Sequence, residues 1–255
     1  MNPIAFNLFG IDIRWYGILI SMGMLIGIFL ANYTCKIKDL SYDKMMDIVL
    51  IALPAAIVGA RLYYVLFNLS YYLSYPNEIF NIRQGGLAIH GGVLFAVIAA
   101  FIYARKKNLE FLNYADAAAP SIIIAQAIGR WGNFFNQEAH GGQVTSEFIS
   151  RFPEFIQKGM YIEGTYYHPT FLYESIWNVF VFAVLLIIIN KVRKKGMVFF
   201  SYIGLYSVGR FIIEGLRTDS LMFGPIRVAQ LVSLAGVVIW FVYLYAAYFR
   251  KKNIL

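Results

Sequence analysis

The chain has almost no means of cross-linking itself. One cysteine, Cys35, in 255 residues excludes an internal disulfide framework and any cysteine-cluster metal site. Histidine is nearly as scarce, and His90, His140 and His168 lack the spacing of metal ligands, so no metal is expected. Charge is thin: 14% of the residues are charged and 60% hydrophobic, where soluble domains average about a quarter charged and half apolar. The alternating ten-residue segments of a membrane β-barrel are missing. So are internal repeats, low-complexity tracts, and the basic n-region and small-residue cleavage site of a removable signal peptide.

What the chain has instead is long apolar runs, with a mean hydropathy of +0.62. A helix of about 20 apolar residues crosses the hydrocarbon core of a bilayer, and seven such runs are present, at approximately 16–34, 47–67, 87–104, 115–135, 170–190, 197–215 and 227–248. The fold class is therefore read as all-α, one multi-pass membrane domain over 1–255. Two longer connections interrupt it. Segment 68–86 is aromatic and reads as an interfacial arm; segment 136–169 reads as a small extracytoplasmic cap.

Basic residues orient the spans. Lys36, Lys38 and Lys44 follow the first; Arg105, Lys106 and Lys107 the third; Lys191, Arg193, Lys194 and Lys195 the fifth; Arg250, Lys251 and Lys252 the seventh. Positive residues favour the cytoplasm, which puts the N-terminus outside and the C-terminus inside. The net charge of +8 is then a topology signal with some attraction to anionic membrane lipids, and nucleic acid is not a partner.

With this orientation, six spans carry their costly polar residues at the outer end: Arg14 and Tyr16, Arg61 and Tyr64, His90, Arg130 and Asn133, His168 with Tyr173 and Glu174, and the last turns of the sixth span. Ionisable groups at membrane depth usually mark function. In the sixth span Tyr206, Arg210, Glu214 and Arg217 recur at helical spacing as one stripe. Arg210–Glu214 and Glu214–Arg217 can pair along it, and two arginines against one carboxylate leave it net positive. Arginine suits phosphate because its fork is planar, bidentate and permanently charged, so Arg61, Arg130, Arg210 and Arg217 point to an anionic phospholipid head group. His90, followed by two glycines, reads either as a proton acceptor or as a packing residue.

The stretch GRWGNFFNQEAHG, Gly129 to Gly141, resembles the signature of the prolipoprotein diacylglyceryl transferases. The blocks RWYG at 14–17, HGG at 90–92, HPTFLYE at 168–174 and GRFIIEGLR at 209–217 are similar to that family's other blocks, in the same order, over nearly the whole chain. The resemblance implies an enzyme of the bacterial cell membrane that moves the diacylglyceryl group of phosphatidylglycerol to the thiol of the lipobox cysteine of a preprolipoprotein. A thioether forms and glycerol phosphate leaves, the first step of lipoprotein maturation, and the resemblance implies no metal or soluble cofactor. On this reading the catalytic residues are His90, as base for the thiol, with Arg130 and Arg210 on the phosphate. Asn133 and Asn136 orient the head group or the neighbouring loop. Glu138 and Glu214 fix the arginines, with Glu138 an alternative proton acceptor. Tyr16 and Tyr206 donate hydrogen bonds, Gly141 permits close backbone approach, and Arg61 and Arg217 add to substrate binding. Cys35 lies on the wrong side for this chemistry, and His168 is expected to cap or anchor the fifth span.

Two other classes compete. A lipid or solute transporter with an outer anion site would place polar groups toward both faces, against the outward skew here. An intramembrane protease would need a nucleophilic serine motif or paired membrane aspartates, whereas Asp47 and Asp116 fall near the cytoplasmic side.

Overall fold

The computed structural model describes residues 1–82 and 85–249; Arg250, Lys251 and Lys252 lie outside the described residues. The chain divides into two compact units, Met1–Lys38 with the chain from Ala115 onward, and Asp39–Tyr114.

The first unit opens with a hairpin, β1 (Ile4–Leu8) against β2 (Ile11–Arg14). Phe9 and Gly10 at its tip take left-handed backbone, and Asn7 Oδ1 accepts the Gly10 amide at 2.9 Å. The hairpin runs straight into helix α1 (Trp15–Ile37). In the second unit α2 (Tyr42–Phe67) leads to a short α3 (Leu69–Ser74), a 3-10 turn at Pro76–Phe80, and α4 (Ile89–Lys106). Helix α5 (Phe111–Asn136) carries the chain back to the first unit. The segment after it holds β3 (Gln143–Val144), α6 (Ser146–Ile149), α7 (Glu154–Gly159), β4 (Tyr161–Ile162) and β5 (Thr165–Tyr167). Helices α8 (Thr170–Lys191) and α9 (Met197–Glu214) follow, then a hairpin of β6 (Met222–Phe223) and β7 (Ile226–Arg227), and α10 (Val228–Tyr248).

All seven expected spans are helices, within a few residues of the expected bounds. Six of them, α1, α2, α4, α8, α9 and α10, are long and apolar enough to cross a membrane. Helix α5 has the length but interrupts its apolar run with Asp116, Gln126 and Arg130. Its side chains explain why: Ala115, Asp116, Ala117, Ala119, Ile123, Ala127 and Phe134 are all buried, so this helix faces protein where the others face outward with residues such as Phe29, Ile187 and Val242. The chain is thus a multi-pass, mostly helical membrane protein. The short strands are confined to connections, where backbone polar groups can pair across a turn.

In the first unit α1 packs on α5 through small residues. A Cβ on Gly23 would lie 3.2 Å from the Ala125 backbone, and Thr34 Oγ1 donates to the Ala117 carbonyl at 2.7 Å; such close approach drives helix association where hydrophobic burial cannot. Ala119 and Ile123 of α5, Val181, Leu185 and Ile189 of α8, and Val198 of α9 form a core with no exposed surface. The connecting segment 137–169 has its own core of Ile149, Ile156 and Met160 on Phe134 and Phe171, beside a small sheet in the order β3-β5-β4. His168 anchors it: Nδ1 is 3.2 Å from the Tyr173 hydroxyl and the ring meets Phe148 edge-on. Burial pushes its imidazole below the ordinary histidine value.

One end of this unit is a basic latch. Asp116, fully buried, takes Lys38 Nζ at 2.9 Å and the amides of Gly196 and Phe199 at 2.8 and 2.9 Å. A carboxylate thus caps the positive N-terminus of α9 while neutralising a lysine at the end of α1. Arg193 bonds the Ile37 carbonyl and Lys194 the Ala247 carbonyl at the same end. Asp116→Ala would leave Lys38 buried and unpaired together with two bare amides. It is expected to cost about 3–5 kcal/mol, read as a large fall in the thermal midpoint in detergent, with Asp116→Asn losing less. An unchanged midpoint in Asp116→Ala would contradict the latch.

Candidate active site

At the opposite end of the first unit the polar residues converge. Arg130 enters from α5, Glu174 from α8, and Tyr206, Arg210 and Glu214 from successive turns of one face of α9. Glu174 is 3% exposed and is the shared partner. Its Oε1 lies 2.6 Å from Arg130 Nη2 and accepts the Tyr206 hydroxyl at 3.4 Å, while Oε2 takes Arg210 Nη1 at 3.2 Å. Arg130 Nη2 also donates to the Tyr206 hydroxyl at 3.4 Å. Arg210 turns its other nitrogen, Nη2, to Glu214 Oε2 at 2.6 Å, and Arg217 Nε reaches the same oxygen at 4.0 Å. Arg217 then forks onto Asp219 at 2.9 and 2.7 Å. These bonds hold the Asp219 carboxyl below the usual carboxylate range.

The expected pairings along α9 are present, but the charge balance differs from the expected excess of positive charge. Three guanidiniums face three carboxylates, because Glu174 and Asp219 come from outside the stripe. Glu174 was visible in the sequence as a carboxylate in an apolar helix, yet its role as the junction of two arginines was not, since both partners are remote along the chain. Among the described residues the bonds from Arg130 use only Nη2, so the other edge of its fork is not engaged by them.

The turn after Arg130 is built from the signature motif. Helix α5 ends at Asn136, and left-handed Gln137 and Ala139 reverse the chain, so that Glu138 folds back over the last turn. Its Oε1 accepts Asn133 Nδ2 at 3.0 Å and Asn136 Nδ2 at 3.3 Å. Glu138 therefore orders two asparagines and not, as expected, an arginine. Gly141 and Gly142 stitch this turn to its neighbours: Gly141 N bonds the His168 carbonyl at 3.0 Å and Gly142 N the Leu216 carbonyl at 3.1 Å. A Cβ on Gly141 would press on His168 Cβ at 2.6 Å. The Tyr16 ring lies directly on Gly132, and its neighbour Trp15 stacks on Phe135 at 4.8 Å, which ties the start of α1 to the end of α5. His140 has Nδ1 3.0 Å from the Gly141 carbonyl and packs on Tyr167.

His90 and Arg61 belong to the second unit. His90 stands exposed in the first turn of α4, its ring 6.4 Å from that of Tyr63. Arg61 is buried, and its guanidinium is taken up by backbone carbonyls of Glu78, Ile79, Gly85 and Gly86.

A family model described as prolipoprotein diacylglyceryl transferase matches residues 3–246. A phosphatidylglycerol–prolipoprotein diacylglyceryl transferase of Clostridium botulinum (strain Loch Maree / Type A3) is 60% identical over 253 residues, covering 99% of this chain and 100% of the relative. Enzymes of the same name from Clostridium perfringens (strain 13 / Type A; numbered 1) and Clostridium novyi (strain NT) are 59% and 54% identical, each over 99% of this chain and 97% and 98% of their own length. The blocks that frame the ion-pair network lie within the matched region, and this chain belongs to the prolipoprotein diacylglyceryl transferase family.

Proposed function

We propose that the chain transfers the diacylglyceryl group of phosphatidylglycerol to the lipobox cysteine thiol of a preprolipoprotein, at the outer face of the bacterial cell membrane. The observation that carries this reading beyond the family is the Glu174 junction: a buried carboxylate that fixes two guanidiniums at one depth, one of them with a free edge. The reaction breaks the bond between the glyceryl carbon and the phosphate oxygen and forms a carbon–sulfur bond. The electron pair leaves with glycerol phosphate, and the thiol proton goes to a base.

Each group has a role in that balance. His90 takes the proton, because the thiolate is the competent nucleophile. Arg130 and Arg210 face the phosphate, whose charge grows from that of a diester to that of a monoester as the bond breaks. Donors already aligned by Glu174 and Glu214 stabilise that growing charge without reorganising, where water is scarce and each contact is stronger. Asn133 and Asn136, ordered by Glu138, orient the glycerol head. Tyr206 and Tyr16 supply hydroxyls along the same wall. Arg217, forked onto Asp219, carries the network outward toward the substrate, and Gly141 keeps the turn close to α9. Orientation follows from charge: in the first unit Lys36, Lys38, Lys191, Arg193, Lys194 and Lys195 gather at the end remote from the arginine network, which supports a cytoplasmic latch and an extracytoplasmic site.

Purified protein mixed with phosphatidylglycerol vesicles and a lipobox peptide is expected to add a diacylglyceryl mass to the peptide thiol. Absence of the adduct under every lipid and detergent condition would remove the transferase reading. Glu174→Gln keeps the shape and removes the charge that aligns both arginines. It should lower kcat by about 10²–10³ with the protein still folded by gel filtration, and turnover within a factor of two of the parent would show that the junction has no catalytic part. His90→Ala is expected to lose roughly 10²–10⁴ in rate, the usual contribution of a positioned base; near-normal turnover there would overturn the base assignment alone.

A further inference from the structure

Among the described arginines, Arg61 is bonded in a way the others are not. A guanidinium has five N–H donors, and four of Arg61's are spent on main-chain carbonyls: Nε on Ile79 at 2.8 Å, Nη2 on Glu78 at 2.6 Å, and Nη1 on Gly85 and Gly86 at 3.1 and 2.9 Å. Its flat face is covered as well, by Tyr72 at 5.2 Å and Tyr64 at 6.0 Å. Tyr72 is itself buried, at 6% exposed, and Tyr71 beside it donates to Glu78 at 2.7 Å. Gly85 and Gly86 take left-handed backbone, φ +93° and +72°, which turns both carbonyls inward. At Gly86 a side chain would overlap Arg61 Nη1.

The last residue of this cage, Gly86, lies only four residues before His90. The Ala88 amide bonds the Ala60 carbonyl at 3.0 Å, and α2 and α4 cross at Gly59 and Gly91, where a Cβ on Gly59 would lie 2.6 Å from the Gly91 carbonyl. His90 is therefore held between a cation-organised loop and a backbone-to-backbone crossing, both anchored on one turn of α2.

We propose that Arg61 is a positioning residue, acting through the arm loop on His90, and not one of the arginines that contact the lipid phosphate. Four converging carbonyls present partial negative charge to one buried cation, and that cation sets where α4 begins. Lysine cannot replace it, since three N–H groups on one nitrogen cannot span four carbonyls spread along a planar fork. The catalytic consequence rests on the reading of His90 as the base; the structural clamp does not.

The test uses full-length protein in phosphatidylglycerol nanodiscs, with Arg61→Lys and Arg61→Gln compared to His90→Asn. Both Arg61 variants are expected to lose at least tenfold in kcat with KM for phosphatidylglycerol within about twofold. Their amides at 85–92 should exchange with deuterium faster while the middle of α2 does not change. A lipid-binding role would instead raise KM, with Arg61→Lys close to the parent because it keeps the charge; that pattern overturns the assignment. Unchanged exchange at 85–92 in both variants would equally overturn it, as would faster exchange with parental kcat. If His90→Asn alone proves fully active, the base reading fails, and the exchange data still decide whether Arg61 organises the loop.

Discussion

One carboxylate, Glu174, makes the rest of the site possible. Two guanidiniums brought together at membrane depth repel each other, and each carries a desolvation cost of several kcal/mol. Placing a buried carboxylate between Arg130 and Arg210 removes the repulsion and fixes both forks, because each bond engages a different oxygen. Buried ion pairs contribute little net stability against an apolar alternative. Their value here is geometric: each guanidinium is held in one orientation by the carboxylates it meets.

That geometry is transmitted along α9. Its N-terminus is pinned by Asp116 and its last turns carry Arg210 and Glu214. A helix of 18 residues spans about 27 Å at 1.5 Å per residue and behaves as a stiff strut, so the latch at one end fixes the height and rotation of the arginines at the other. Asp116 and Glu174 thus do the same thing from different helices. Each is a buried carboxylate that joins α9 to a partner, and each is tolerated because its charge is fully answered.

The sequence disclosed the parts of this arrangement that are periodic and local. Spans are legible because backbone in lipid must satisfy its own hydrogen bonds, so apolar length alone marks them; even α5 was found at 115–135 although Asp116 and Arg130 lower its hydropathy. The stripe from Tyr206 to Arg217 was legible because its members share one helix face. What spacing cannot supply is a partner from another helix. The stripe reads as net positive because Glu174 lies on α8, 36 residues before Arg210, and Asp219 lies beyond the stripe's last residue. Glu138 was paired with arginine in expectation because the reversal at Gln137, which turns it onto Asn133 and Asn136, depends on a left-handed residue that no composition rule flags. The hairpins at 4–14 and 222–227 are not legible for a different reason: each is too short to show alternation.

Residue type is the weakest guide where arginine is concerned, and the structure shows why. Arginine is chosen for phosphate because its fork offers several donors in one plane, but carbonyl oxygens in a tight loop make the same demand. What separates the two uses is what remains of the fork once the protein has taken its share. Arg130 gives up one nitrogen to Glu174 and Tyr206 and keeps an edge. Arg61 gives up four N–H groups and both its neighbours' rings close over it, so a phosphate could reach it only by dismantling the loop that leads to His90. An arginine in an apolar helix is therefore read as ligand-binding only after its donors have been counted: Arg130 has one nitrogen engaged among the described residues, whereas Arg61 has spent four of its five N–H groups on the loop around it.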